Sequence, residues 1–359
     1  MAAISGAHAA GETVPSTGAV RGWLALVALL VVAMIVVGGA TRLTDSGLSI
    51  TEWQPLLGAI PPLTDAHWQE AFAKYQQIPE YHQVNKGMSL ADFKFIYWWE
   101  WSHRFLGRII GVVFALPLLA FWALGRLPRG MAGKLVGVLA LGGLQGAIGW
   151  YMVKSGLVER VDVSHYRLAL HLGTAFLILA LVVWLALDLG ARPVAIRLDT
   201  LTRAQRRTAG MLFGLLFLQV LLGALVAGTK AGLTYNTWPL MDGRLVPDGL
   251  LSLSPWFMNP FENVATIQFD HRMVAYVIAA LALWHALSLR GVDDERVILS
   301  ASVLVLGVLA QIGLGIWTLL AAEGSIPIGL GLAHQGFAAV LFALSVWHLH
   351  RMTRSPARG

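Results

Sequence analysis

Four histidines in this chain have the type and spacing for metal chemistry. His103, His171, His271 and His334 stand just inside the ends of four apolar segments, two in each half of the sequence. The separation is 68 residues from His103 to His171 and 63 from His271 to His334, so a two-histidine unit occurs twice. A lone histidine in a membrane helix is more often a hydrogen-bonded packing group or a proton relay, but packing alone gives no reason to repeat the residue type at matched positions. Two imidazoles on neighbouring helices are what axial ligation of a haem iron requires. The other histidines break the pattern: His8 lies in a tail, His67 and His82 in a long loop, and His165 ahead of an apolar segment. His285, His348 and His350 fall near the opposite ends of their segments, where an interfacial or helix C-terminal role is expected.

Glu100 precedes His103 by three residues in Trp98-Trp99-Glu100-Trp101-Ser102-His103, so a helix already under way would put carboxylate and imidazole on one face. The matching residue in the second half is Gln268, which cannot titrate. An acid near a helix N-terminus is explained by the dipole alone. Its loss from one half also fits a division of labour, with one haem reacting and the other passing electrons, since a carboxylate beside a haem edge can act as base, acceptor or charge stabiliser. Arg104 and Arg272 directly follow the first histidine of each half, placed either to anchor a helix end or to pair with haem propionates. Arg42 and Lys230 are weaker propionate candidates. Asp45 and Glu52 read as solvated loop acids, and residues 97–101 as an interfacial aromatic belt.

The elements that must position these groups are membrane helices. Of 359 residues 57% are hydrophobic and 13% charged, against about 25% charged in soluble proteins, so the expected class is an all-α polytopic membrane protein. Apolar runs fall at 22–40, 104–124, 134–153, 168–188, 208–228, 272–290, 297–320 and 328–349, giving eight expected spans. The net charge of +6 gathers in short loops, as the positive-inside rule predicts and nucleic-acid binding does not. That rule puts both termini in the cytoplasm and the long loops 41–100 and 229–270 outside. The absence of cysteine excludes disulfides, Cys-ligated iron–sulfur clusters, covalently attached haem and any cysteine-based redox step.

The halves repeat each other. Residues 47–53 (Gly-Leu-Ser-Ile-Thr-Glu-Trp) align with 232–238 (Gly-Leu-Thr-Tyr-Asn-Thr-Trp), Ser102-His103-Arg104 with Asp270-His271-Arg272, and Gln145 and Gly149 with Gln311 and Gly315. The expected organisation is a tail (1–21), a four-helix repeat (22–190), a basic linker (191–207), a second four-helix repeat (208–350) and a tail (351–359). An even number of spans per repeat makes the two bundles parallel, related by a pseudo-twofold axis near the membrane normal.

As a joint pattern, the eight spans, the duplication, the Glu-x-x-His-Arg start of span two and the single histidines of spans four, six and eight resemble the haem A synthases over nearly the whole chain. The cysteine-free loops are similar to the alphaproteobacterial and mitochondrial branch. The resemblance implies oxidation of the C8 methyl of haem O, through an alcohol and a geminal diol, to the formyl group of haem A. It implies substrate haem between His103 and His171, a haem b cofactor between His271 and His334, and Glu100 as the important acid. Implied partners are haem O synthase, cytochrome oxidase assembly factors, an electron acceptor and further copies of the chain, in a bacterial inner membrane with the haems toward the periplasm. Because two axial histidines saturate an iron, either His103 or His171 is labile, or oxidation proceeds by electron removal and attack of water near Glu100. The rival readings are a bis-histidine cytochrome b that only carries electrons, and a tandem-repeat transporter whose histidines relay protons.

Overall fold

The computed structural model describes residues 17–54, 57–154, 156–157, 161–190 and 201–353. Most of both tails and the first part of the basic linker, with His8, Arg192, Arg197, Arg354 and Arg358, lie outside the described residues. Among those described the structure is helical, without strands. The helices are α1 (Gly18–Leu43), α2 (Asp65–Tyr75), α3 (Pro79–Gln83), α4 (Leu90–Ala123), α5 (Met131–Lys154), α6 (His165–Gly190), α7 (Arg203–Gly228), α8 (Asn259–Glu262), α9 (Val264–Ser288), α10 (Glu295–Leu320) and α11 (Ile328–Thr353).

Seven of these, α1, α4, α5, α6, α7, α10 and α11, are long and apolar enough to cross a membrane. The eighth expected span is α9, which is long enough but carries Asp270, His271, Arg272 and His285 and so is not among the seven. Helix starts follow local chemistry. Ser89 accepts from the Asp92 N–H at the head of α4, Thr202 and Gln205 close a capping box on α7, and Asn263 accepts from the Ala265 and Thr266 N–H groups of α9.

Packing reproduces the repeat. In the first half α1 touches α4, α4 touches α5, α5 touches α6, and α6 closes the ring on α1; in the second, α7, α9, α10 and α11 do the same in the same order. The halves meet through α1 with α11, α6 with α7, and α6 with α11, a set that maps onto itself when the halves are exchanged. Phe176 of α6 and Phe342 of α11 meet edge to face at this centre, ring centroids 5.3 Å apart. Lipid offers no hydrophobic drive for helix association, so close approach and interhelical hydrogen bonds matter more. Gly39 of α1 has such an approach: Gln335 of α11 packs where a Cβ would sit and donates to the Ile35 carbonyl at 2.7 Å.

The long segment between α1 and α4 holds structure of its own. Its helix α2 lays Trp68, Phe72 and Tyr75 against Phe93 and Tyr97, on an outward extension of α4 that begins well before the expected start at 104. His103 is therefore about three and a half turns into its helix, whereas His171, His271 and His334 are about two turns in. Of the expected aromatic belt, Trp98 is exposed, but Tyr97 is buried under α2 and Trp101 stacks on Phe105.

Candidate functional site

Each of the four histidines lies against a glycine of the neighbouring helix in its own half. His103 of α4 meets Gly38 of α1, His171 of α6 meets Gly149 of α5, His271 of α9 meets Gly223 of α7, and His334 of α11 meets Gly315 of α10. A methyl group at these glycines would come within 3.1, 3.0, 3.3 and 2.9 Å of the respective rings, so the missing side chains make room for imidazole. His103 and His171 lie on α4 and α6 of the first ring of helices, and His271 and His334 on α9 and α11 of the second. All four rings are half-buried and keep accessible surface.

Glutamines fasten three of these histidines from the adjacent helix. Gln145, Gln219 and Gln311 each donate Nε2–H to the backbone carbonyl of His171, His271 and His334, in every case at 2.9 Å. The amide oxygens of all three glutamines are buried without a hydrogen-bond partner, as is Nδ1 of His171. Among the described residues no three His, Asp or Glu side chains cluster to chelate a bare ion. A two-imidazole set with unused polar atoms beside it fits haem iron, whose other ligands come from the porphyrin.

Glu100 shares its helix face with His103, as the spacing predicts, and its carboxylate also secures the outer loop. Oε2 accepts from the Ser49 hydroxyl at 2.8 Å and the Ile50 N–H at 2.7 Å, while Oε1 pairs with Arg104 at 2.6 Å. Arg104 in turn donates to the Ile50 and Glu52 carbonyls. The second half repeats the bracket in register. Arg272 donates to the Tyr235 and Thr237 carbonyls and to Gln268 Oε1, and Gln268 donates to the Ala231 carbonyl at 2.8 Å. Both guanidinium groups are thus loop fasteners, and a turn toward a haem propionate would release carbonyls they now hold.

Arg42 and Lys230 converge on Asp162, at 3.8 and 3.0 Å, and Arg42 also donates to the Ala227 carbonyl, so this trio ties the halves together at the C-terminal ends of α1 and α7. Asp45 and Glu52 are partly exposed and paired with Arg42 and Lys74. His285 and His350 stand in the last turns of α9 and α11, as expected, but the expectation of an interfacial place for these histidines and His348 is corrected, because all three are buried. His285 and His348 are buried with their Nε2 atoms 2.9 Å apart, His348 Nδ1 lies 2.8 Å from the Ser300 hydroxyl, and His350 pairs with Asp188 of α6 at 2.9 Å. Burial makes an imidazole seek a partner, and each finds one on a neighbouring helix.

Sequence reasoning noted Gln145, Gly149, Gln311 and Gly315 as marks of the repeat without seeing what they touch, and it missed Gly38, Gly223 and Gln219. The signal was present: the offset of 185 that aligns the outer loops also takes Gly38 to Gly223.

Comparisons with known proteins place the chain in a family. The family model described as Cytochrome oxidase assembly protein matches residues 21–346. Proteins named Heme A synthase are similar along almost their full length: 50% identity for one from Parvibaculum lavamentivorans, over 94% of this chain and 95% of the relative. Those from Mesorhizobium japonicum (52%; 92% of this chain, 89% of the relative) and Chelativorans sp. (54%; 92% and 91%) match comparably. With two half-buried histidine pairs set over glycines in a duplicated helical scaffold, the chain belongs to the cytochrome oxidase assembly protein family, and within it to the haem A synthases.

Proposed function

We propose that the protein converts the C8 methyl of haem O to the formyl group of haem A, through the alcohol and the geminal diol. The first half (22–190) takes the substrate between His103 and His171, and the second (208–350) holds a resident haem b between His271 and His334. The observation that carries this division is Glu100: a buried carboxylate one turn from His103 where the second half has an amide. Glu100 acts as base or as acceptor of developing positive charge beside the substrate edge, with Arg104 pairing with its carboxylate and orienting it. The resident haem supplies one-electron exchange. Gln219 and Gln311 fix the two helices that carry its ligands, and the bracket built on Gln268 and Arg272 closes the outer loop over them. Loop charges support eight crossings of a bacterial inner membrane, α9 included, with cytoplasmic termini and both sites toward the periplasm.

Acid–acetone extraction of the purified protein, with chromatography and mass determination of the pigments, tests the reading. Haem b together with haem O, its hydroxylated form or haem A is expected. Haem b alone would make the protein a bis-histidine electron carrier, and absence of haem would favour a transporter.

A further inference from the structure

Only one of the four histidines lacks a glutamine. The offset that takes Gly38 to Gly223 takes Met34 to Gln219, one turn deeper on α1 and α7. Gln219 reaches α9, donates to the His271 carbonyl and lies 3.2 and 3.3 Å from the two ring nitrogens. Met34 points across the same gap to α4, its Cε 3.5 Å from where a Cβ on Gly107 would sit, one turn below His103. A thioether has no N–H to offer the His103 carbonyl or the ring. Neither His103 nor His171 has a side-chain hydrogen bond at its imidazole among the described residues, but His171 has its carbonyl held by Gln145 and His103 has no such tie. Its ring is also turned differently: His103 presents its Nε2 edge to Gly38, whereas the other three present Cε1 to their glycines.

Outer partners of a ligating histidine fix its position and orientation, and their loss weakens the metal bond. We propose that Met34 makes His103 the exchangeable axial ligand of the first half, with His171, fastened by Gln145, as the permanent one. Both ligands of the second half, fastened by Gln219 and Gln311, stay bound. One half of the molecule can therefore open a coordination position at iron and the other cannot. The inference rests on the reading that His103 and His171 hold the substrate haem, and it settles in favour of His103 the choice that the sequence leaves open.

The test uses the full chain in lipid nanodiscs, resident haem in place, titrated with ferrous haem b as the probe and then with carbon monoxide, followed by visible spectra. In the wild type the added haem should bind carbon monoxide and the resident haem should not. Met34→Gln should keep the added haem but lower its carbon monoxide affinity by about tenfold or more, while Met34→Leu should leave that affinity unchanged. Gln219→Met should let the resident haem take carbon monoxide. If His103→Ala and His171→Ala take up added haem as the wild type does, the site reading fails and this inference with it. If those variants lose the added haem yet Met34→Gln binds carbon monoxide like the wild type, or Gln219→Met leaves the resident haem closed, the inference alone fails.

Discussion

The two outer brackets are the same device with one atom changed. Arg104 and Arg272 grip carbonyls at matched positions of matched loops, Ile50 with Glu52 and Tyr235 with Thr237. The residue one turn before each arginine differs. The Glu100 carboxylate accepts from an N–H and a hydroxyl, whereas the Gln268 amide donates to a carbonyl. A neutral amide suffices to hold such a loop, so the bracket itself does not explain a buried charge in the first half. A carboxylate taken out of water costs several kcal/mol unless paired, and here it is paired and hydrogen-bonded. The proposed role of Glu100 gives the carboxylate a reason that the bracket does not, and the scaffold makes it tolerable.

The largest effects should follow from the histidines. His271→Ala or His334→Ala should remove the resident haem, lowering its affinity by on the order of a hundredfold or more, beyond the roughly 10–100-fold typical of outer partners. His103→Ala or His171→Ala should leave the resident haem in place and stop product formation. Haemochrome spectra with pigment masses read both, and loss of resident haem from a first-half variant would break the assignment of the halves.

Glu100→Gln should lower haem A formation by about a hundredfold, within the range for a lost general base, with resident haem unchanged. It also tests whether charge or tethering matters, because the amide can still hold Arg104 while surrendering the ion pair. Normal product from Glu100→Gln would reduce Glu100 to a loop fastener like Gln268. Proteolytic nicking of the outer loop in that variant, without loss of product, would say the same.

The scaffold was legible in the sequence because hydropathy and duplication are periodic signals: the eight expected spans correspond to eight long helices, seven of them apolar enough on their own. The histidines and the Glu100–Gln268 difference were legible because unlike residues at aligned positions stand out. The glycines beneath the rings were not, since a chain with 38 glycines offers many candidates and only packing selects four. Nor was the partner of Arg104, because Ile50 and Glu52 present backbone carbonyls, which no residue type advertises. Helix α2 was missed for a related reason: its aromatic face is paired with an extension of α4 beyond the apolar run, and tertiary packing makes both.

Methyl groups added beneath the rings should rank by clearance. Gly315→Ala and Gly149→Ala bring a carbon to 2.9 and 3.0 Å of imidazole, Gly38→Ala to 3.1 Å and Gly223→Ala to 3.3 Å. Overpacking of this kind costs typically 1–3 kcal/mol, so Gly315→Ala should weaken resident haem by about tenfold and Gly223→Ala by less. Haem titration of the two variants checks the order, and an inverted order would mean that the rings leave the glycines when haem binds.

The smallest expected effect separates the outer loops by pH. The first is organised around Glu80, buried beside α2. Its carboxyl is pushed up to about 8 by burial first and then by Asp45, with Glu100 and Asp162 adding to the rise and the Tyr75 hydroxyl opposing it. In the second, residues 249–263 are tied to one another by neutral side chains: Asn263 donates to the Gly249 carbonyl, and Asn259 to the carbonyls of Leu253 and Trp256. A raised acid binds its proton more tightly folded than unfolded, so the loop is most stable below the ordinary value of 4.5 and loses stability as pH climbs to about 8. Hydrogen exchange, corrected for its intrinsic pH dependence, should show residues 79–85 better protected at about pH 6 than at about pH 8, and residues 249–263 equally protected at both. Glu80→Gln keeps an acceptor for Tyr75 and removes the titration, so it should make the first loop as indifferent to pH as the second. A pH-dependent difference that survives this substitution would take the effect away from Glu80.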